Sequence, residues 1–198
     1  TAPSITSQPG NRVVIHGGTG TRAADGSLVI RWSGSFTVVF YGGMTYWTAS
    51  DPVLTLDASG NGRVTATGSG FGASMEDLSR WEALPETSIV LAELRGVDTS
   101  GGDGFATDPQ YLGVAVSGAG QAERTADNAA FWGSFPASFV QFQKLTGQAG
   151  YWLTTNGQRD RAKIASTMYI SYDASAPGPV VAPPAGAGAG AGAGDPVA

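Results

Sequence analysis

Residues 27 to 67, SLVIRWSGSFTVVFYGGMTYWTASDPVLTLDASGNGRVTAT, alternate in twos. Ser35, Thr37, Val39 and Tyr41 face one way; Phe36, Val38 and Phe40 face the other. Val53–Asp57 and Arg63–Thr67 flank the turn Ala58-Ser59-Gly60-Asn61-Gly62. Period-two alternation in β-branched and aromatic residues, punctuated by Gly, Asn, Asp and Pro, specifies strands. A Gly-Asn-Gly loop between two such runs specifies a β-hairpin. No part of the stretch has helical spacing, so the rest of the chain must pack on this sheet.

Further strands are expected at Arg12–His16, Leu28–Trp32, Gly34–Tyr41 with Gly34 as a bulge, Met44–Thr48, Thr87–Gly96, Tyr111–Ser117, Tyr151–Thr155 and Lys163–Asp173. Gly17-Gly18-Thr19-Gly20 reads as a turn, and residues 98 to 109 as a loop. Asp51-Pro52 is expected to end a strand, because proline cannot donate to a ladder. Two stretches read as helices. In residues 74 to 84, SMEDLSRWEAL, Met75, Leu78 and Trp81 approach a 3.6-residue period before Pro85. In FPASFVQFQKLT (135–146), Phe135, Phe139, Phe142 and Leu145 lie on one face, Pro136 suits the first turn, and Gly147 suits the C-cap.

The two ends differ from the middle. Residues 1 to 11 are polar with Pro3 and Pro9 and read as an extended arm. From Ala174 the composition turns to Pro, Gly and Ala, that of a flexible tail. The fold expectation is therefore an all-β chain, a β-sandwich with one or two short helices over residues 12–173, an N-terminal arm and a C-terminal tail. Without the tail, about 175 residues remain, the size of one all-β domain.

Charge excludes some functions. The net charge is −5, and the basic residues are scattered, so no patch can release counterions from phosphates. Nucleic acid and anionic membrane surfaces are not expected partners. No apolar run is long enough to span a bilayer. The chain has no cysteine, which excludes disulfides, thiolate metal sites and cysteine nucleophiles. A start at Thr1-Ala2-Pro3 suits a chain processed after export, so a secreted or cell-surface location is expected.

Reactive constellations are sparse. His16 is the only histidine, and no Gly-x-Ser-x-Gly elbow accompanies it. Asp98, Asp103 and Asp108 share one glycine-rich loop and are a Ca²⁺ candidate, though their spacing is not that of an EF-hand. The aromatics Trp32, Tyr41, Tyr46, Trp47, Trp81, Trp132, Tyr151, Trp152, Tyr169 and Tyr172 pack a core or line a groove for a flat ligand or sugar. A tyrosine at a pocket mouth can also ligate haem iron through its phenolate.

The order GSFTVVFYGGMTYWTASDPVLTLDASGNGRVTA (34–66) resembles the central motif of HtaA-like domains, found in actinobacterial cell-surface and secreted haem-uptake proteins. PASFVQFQKLTGQAGYW and RDRAKIASTMYISY, within 136–172, are similar to that family's closing helix and strand. The resemblance covers residues 12 to 172 and implies a β-sandwich with a small helix, exported to the cell envelope. Haem-binding members open with a Trp-containing segment bearing a Tyr ligand and carry a His after the first strong strand. Here the opening segment is not recognisable, and the matching region reads Tyr41-Gly42-Gly43-Met44.

The leading expectation is a secreted, non-enzymatic structural module of a cell envelope or extracellular filament. It would need no cofactor and would associate with itself or an envelope complex through sheet edges and tail residues Val180, Val181, Pro183, Pro184 and Val197. The alternatives are haem binding, with Tyr41 or Tyr46 as axial ligand, and carbohydrate binding or adhesion through exposed aromatics.

Overall fold

The computed structural model describes Thr6, residues 12–73 and residues 81–175. The N-terminal arm (apart from Thr6), residues 74–80 of the first expected helix, and tail residues Val180, Val181, Pro183, Pro184 and Val197 lie outside these. The strands are β1 (Thr19–Arg22), β2 (Leu28–Arg31), β3 (Ser35–Phe40), β4 (Thr45–Leu56), β5 (Gly62–Ala73), β6 (Trp81–Ala83), β7 (Thr87–Leu94), β8 (Gly104–Thr107) and β9 (Met168–Ser171). One α-helix, α1 (Ala137–Leu145), follows β8.

β4 and β5 are the spine of a seven-stranded antiparallel sheet. On one side of β4, β2 pairs with its second half and β3 with its first; β1 adds outside β2. On the far side of β5 lie β7 and, at the other end, β6. The β4–β5 turn is the expected hairpin. Asp57 Oδ1 accepts the Ser59 and Asn61 N–H groups, and Gly60 takes φ +74°. A side chain at Gly60 would strike the Val97 backbone, so the position requires glycine twice over.

Asp51-Pro52 does not end a strand; it is a bulge inside β4. Asp51 and Pro52 together oppose only Ala66 of β5, between the pairs Ser50–Thr67 and Val53–Thr65. The extra residue reverses the alternation. Thr45, Trp47 and Ala49 are buried before it, and Pro52, Leu54 and Leu56 after it. Proline is tolerated here because a bulge needs no ladder donor. Asp51, at φ +50°, gives its N–H to the Gly34 carbonyl (2.8 Å), and its carboxylate accepts the Gly34 N–H (3.0 Å). These bonds fasten the bulge to the corner where β2 gives way to β3.

The buried face of the sheet is covered in two places. At one end the two-stranded β8–β9 ribbon lays Phe105 and Ile170 on Leu28, Ile30, Leu54, Leu56 and Leu94. At the other, α1 lays Phe139 and Phe142 on Trp47, Ala49, Ala66 and Ile89. Leu145, expected on the same helical face, is instead exposed. Pro136 sits just before the helix, and Gly147 closes it at φ +76°.

Elsewhere the local pattern is overridden. Residues 12–18 form no strand, whereas Thr19–Arg22, expected as a turn, does. The tight turn at 23–27, with Asp25 Oδ1 accepting the Ser27 N–H and Gly26 at φ +90°, folds 19–22 back onto 28–31 despite weak strand propensity. Trp81–Ala83 is a strand paired with Phe71–Ala73, not helix. Of the expected strands at 111–117 and 151–155, only the bridges Leu112–Gly133 and Ser134–Leu153 form. The Gln121 amide explains the first case. It accepts the Val116 N–H and donates to the Val114 and Gly133 carbonyls, satisfying backbone that a ladder would otherwise pair. The last strand shrinks to Met168–Ser171, after a 3-10 turn at Asp160–Lys163.

Candidate functional site

Among the described residues, no element covers the face of the sheet turned away from the ribbon and helix. Antiparallel register places directly opposed residues on one face. Ser35, Ser50, Thr67 and Ser88 therefore form one row across β3, β4, β5 and β7. Thr37, Thr48 and Ser69 form the next, with the Thr37 and Thr48 hydroxyls hydrogen-bonded at 2.8 Å. Val39, Tyr46, Phe71 and Ala83 form a third, with the Tyr46 and Phe71 ring centroids 5.3 Å apart. Trp81, two residues from Ala83 on β6, shares that face. Tyr46, Phe71 and Trp81 keep 38%, 36% and 51% of their surface exposed. No residue of these rows has a carboxylate or a basic side chain.

Beside this face runs an unpaired strand edge. β3 is bonded to β4 alone, and among the described residues nothing pairs with its other side. The margin at β7 is covered instead. There the Val90 N–H donates to Ser138 Oγ (2.9 Å), and the Glu93 carbonyl accepts the Gln110 N–H (2.8 Å).

The two tyrosines offered as alternative haem ligands stand on different elements. Tyr41, at φ +50° in the turn after β3, joins its hydroxyl to that of Tyr151, whose ring stacks on Phe40 at 4.9 Å. That hydrogen bond, followed by partial burial, raises the pKa of Tyr151. Tyr46 stands on the open face against Phe71. Alternation across the short turn separates them. Both are exposed.

The three expected Ca²⁺ ligands are also apart. β8 runs between Asp103 and Asp108, and an extended strand of that length holds its ends well over 10 Å apart. Asp98 accepts the Ser100 N–H, which with the Ser100 hydroxyl keeps its carboxyl below the usual range. Asp108 accepts the Thr167 hydroxyl at 2.6 Å. Among the described residues no three metal-ligating side chains converge, and no helix is long and apolar enough to cross a membrane. His16 is exposed in the irregular segment before β1.

Two surface recesses lie elsewhere. One is walled by Arg22, Ser100 and Tyr172, where the guanidinium is spent on Thr99 and the Tyr172 hydroxyl. The other is walled by Asp127, Asn128 and Asn156 and reaches Asp160. The Asp160 carboxylate is fully buried and turned onto Thr155 and the Lys163 ammonium (2.6 Å).

Tyr111 is the buried titratable group with the plainest signature. Burial raises its pKa to about 12, with the Asp160 charge adding to the rise. The Thr154 hydroxyl lowers it, but that hydroxyl is engaged by the Gly133 N–H and carbonyl, and the phenol oxygen itself makes no hydrogen bond. A raised folded-state pKa leaves stability intact below pH 10 and removes it as pH climbs toward 12. About 2–3 kcal/mol is expected to disappear across that window. Tyr111→Phe is expected to match the wild type at pH 7 and to lose correspondingly less between pH 10 and 12, as read from urea midpoints; equal alkaline losses would contradict this.

Comparison with family models, curated proteins and solved structures finds no match for this chain. The hydroxyl rows were half visible in the sequence as alternating Ser and Thr in 35–39. That Trp81 shares a face with Phe71 depends on β5–β6 pairing, which the sequence does not announce.

Proposed function

We propose that this chain is a non-enzymatic assembly module that adds a strand from a second copy of itself to the open edge of β3. The edge, unpaired among the described residues, carries the reading. β3, SFTVVF, holds neither a charge nor a proline, the devices by which proteins usually protect such an edge. Six residues of extended backbone offer outward N–H and C=O groups, and strand addition would satisfy them. Because β2 and β3 lie on the same side of β4, the added strand would prolong the column that β1 begins. The tail segment around Val180 and Val181 is the proposed donor, its β-branched pair supplying the strand. The two layers are read as a divergent β-sandwich, and the HtaA-like resemblance supplies the expected placement at the cell envelope.

Light scattering during size-exclusion chromatography tests it. The full-length protein is expected to exceed the monomer mass increasingly with concentration. Ser35→Lys/Thr37→Lys, which charges the edge, is expected to run as a monomer, and removal of residues 176–198 is expected to weaken assembly. A wild type that stays monomeric at every concentration would overturn the proposal.

A further inference from the structure

The open face has a chemistry of its own, distinct from the backbone edge beside it. We propose that the aromatic patch of Tyr46, Phe71 and Trp81, with the hydroxyl row Thr37–Thr48–Ser69 next to it, is a platform for a neutral polysaccharide chain. The rings are held at the surface by strand pairing and not by burial, and each leaves a third or more of its area to solvent. An aromatic ring that is partly apolar and partly wet favours a ligand that is both, and the C–H face of a pyranose is such a surface. Hydroxyl groups donate and accept alike, so the Thr and Ser row complements the mixed donors and acceptors of a polyol. Neighbouring strands are about 4.8 Å apart, close to the length of one sugar unit. A glycan crossing the strands can therefore meet a new side chain with each unit.

Charge narrows the class. The rows carry no cation to pair with a uronate or sulfate, and the chain as a whole is at −5. An acidic polysaccharide is repelled and a neutral one is not. A protein partner would leave most of the hydroxyl row desolvated without matched partners, at a cost a polyol avoids.

Affinity electrophoresis through gels containing hydroxyethylcellulose, soluble starch or galactomannan, with alginate as the anionic control, tests the proposal. Retardation is expected in at least one neutral gel and not in alginate. Phe71→Ala/Trp81→Ala lies away from β3. It is expected to raise the dissociation constant at least about tenfold while leaving the far-UV spectrum and the self-association mass unchanged. If that double variant unfolds, Tyr46→Ala alone decides by the same readout. No retardation in any neutral gel, or retardation that survives these substitutions, would overturn the platform. So would a loss of self-association in Phe71→Ala/Trp81→Ala without glycan binding, which would make a second copy the occupant. Failure here leaves the β3 edge untouched, since that edge is read from Ser35→Lys/Thr37→Lys.

Discussion

Trp47→Ala is expected to cost about 3–5 kcal/mol of folding stability, the range for deleting a large aromatic from a packed core. Trp47 is 2% exposed and is surrounded by rings from three parts of the chain. Phe36 of β3 lies at 5.8 Å, Phe139 and Phe142 of α1 at 5.2 and 6.3 Å, and Trp152 of the following loop at 5.7 Å, all near edge-to-face. Edge-to-face pairs add to area burial, and these pairs join the helix to the sheet beneath the open face. The indole N–H has no partner, so Trp47→Phe forfeits volume but no hydrogen bond and is expected to cost less than half as much. Urea denaturation followed by far-UV circular dichroism measures both. A loss below about 1.5 kcal/mol for Trp47→Ala would mean that α1 is not seated as described.

The second large effect is electrostatic. Asp160 accepts the Thr155 N–H (3.0 Å), the Thr155 hydroxyl (3.2 Å) and the Lys163 ammonium (2.6 Å). Lys163 also donates to the Gly150 and Leu153 carbonyls. The ion pair thus ties together both ends of the loop that carries Tyr151 to Phe40, beside the end of β3. Asp160→Ala strands an ammonium that is 12% exposed, and removing one partner of such a pair costs about 3–5 kcal/mol. Lys163→Met in the Asp160→Ala background is expected to recover part of that loss, because the uncompensated charge goes with it. A double-mutant cycle should give a coupling of about 1–3 kcal/mol; additive losses would contradict the pairing.

These two residues also mark where the sequence was legible. Trp47 stands in a clean alternation, and the sheet from Ser35 to Thr67 could be written down before any coordinates. So could α1, whose Phe139 and Phe142 face the core and whose Gly147 closes it. The parity change at Asp51-Pro52 could not. A proline locally signals the end of a strand, and only the single residue Ala66 across the ladder turns it into a bulge. The strands expected at 111–117 and 151–155 reduce to isolated bridges for a related reason. Backbone groups of this region pair with the side chains of Gln121, Asn128 and Thr154, which lie 5 to 21 residues away, and not with a ladder. Asp160 and Lys163, in a stretch with no periodicity, gave no signal of their burial. Tyr41 and Tyr46, offered as alternative ligands, stand in the turn after β3 and on β4, and only the strand period of the second is legible in the sequence.

The claim on which the rest depends is that the outer margin of β3 is an interface, and amide hydrogen exchange as a function of protein concentration addresses it most directly. Residues 35–40 are expected to gain protection as concentration rises, while the β7 margin, already bonded to Ser138 and Gln110, keeps its protection throughout. Protection of β3 that does not change from dilute to concentrated protein would show that the edge stays open to water, and would contradict the account.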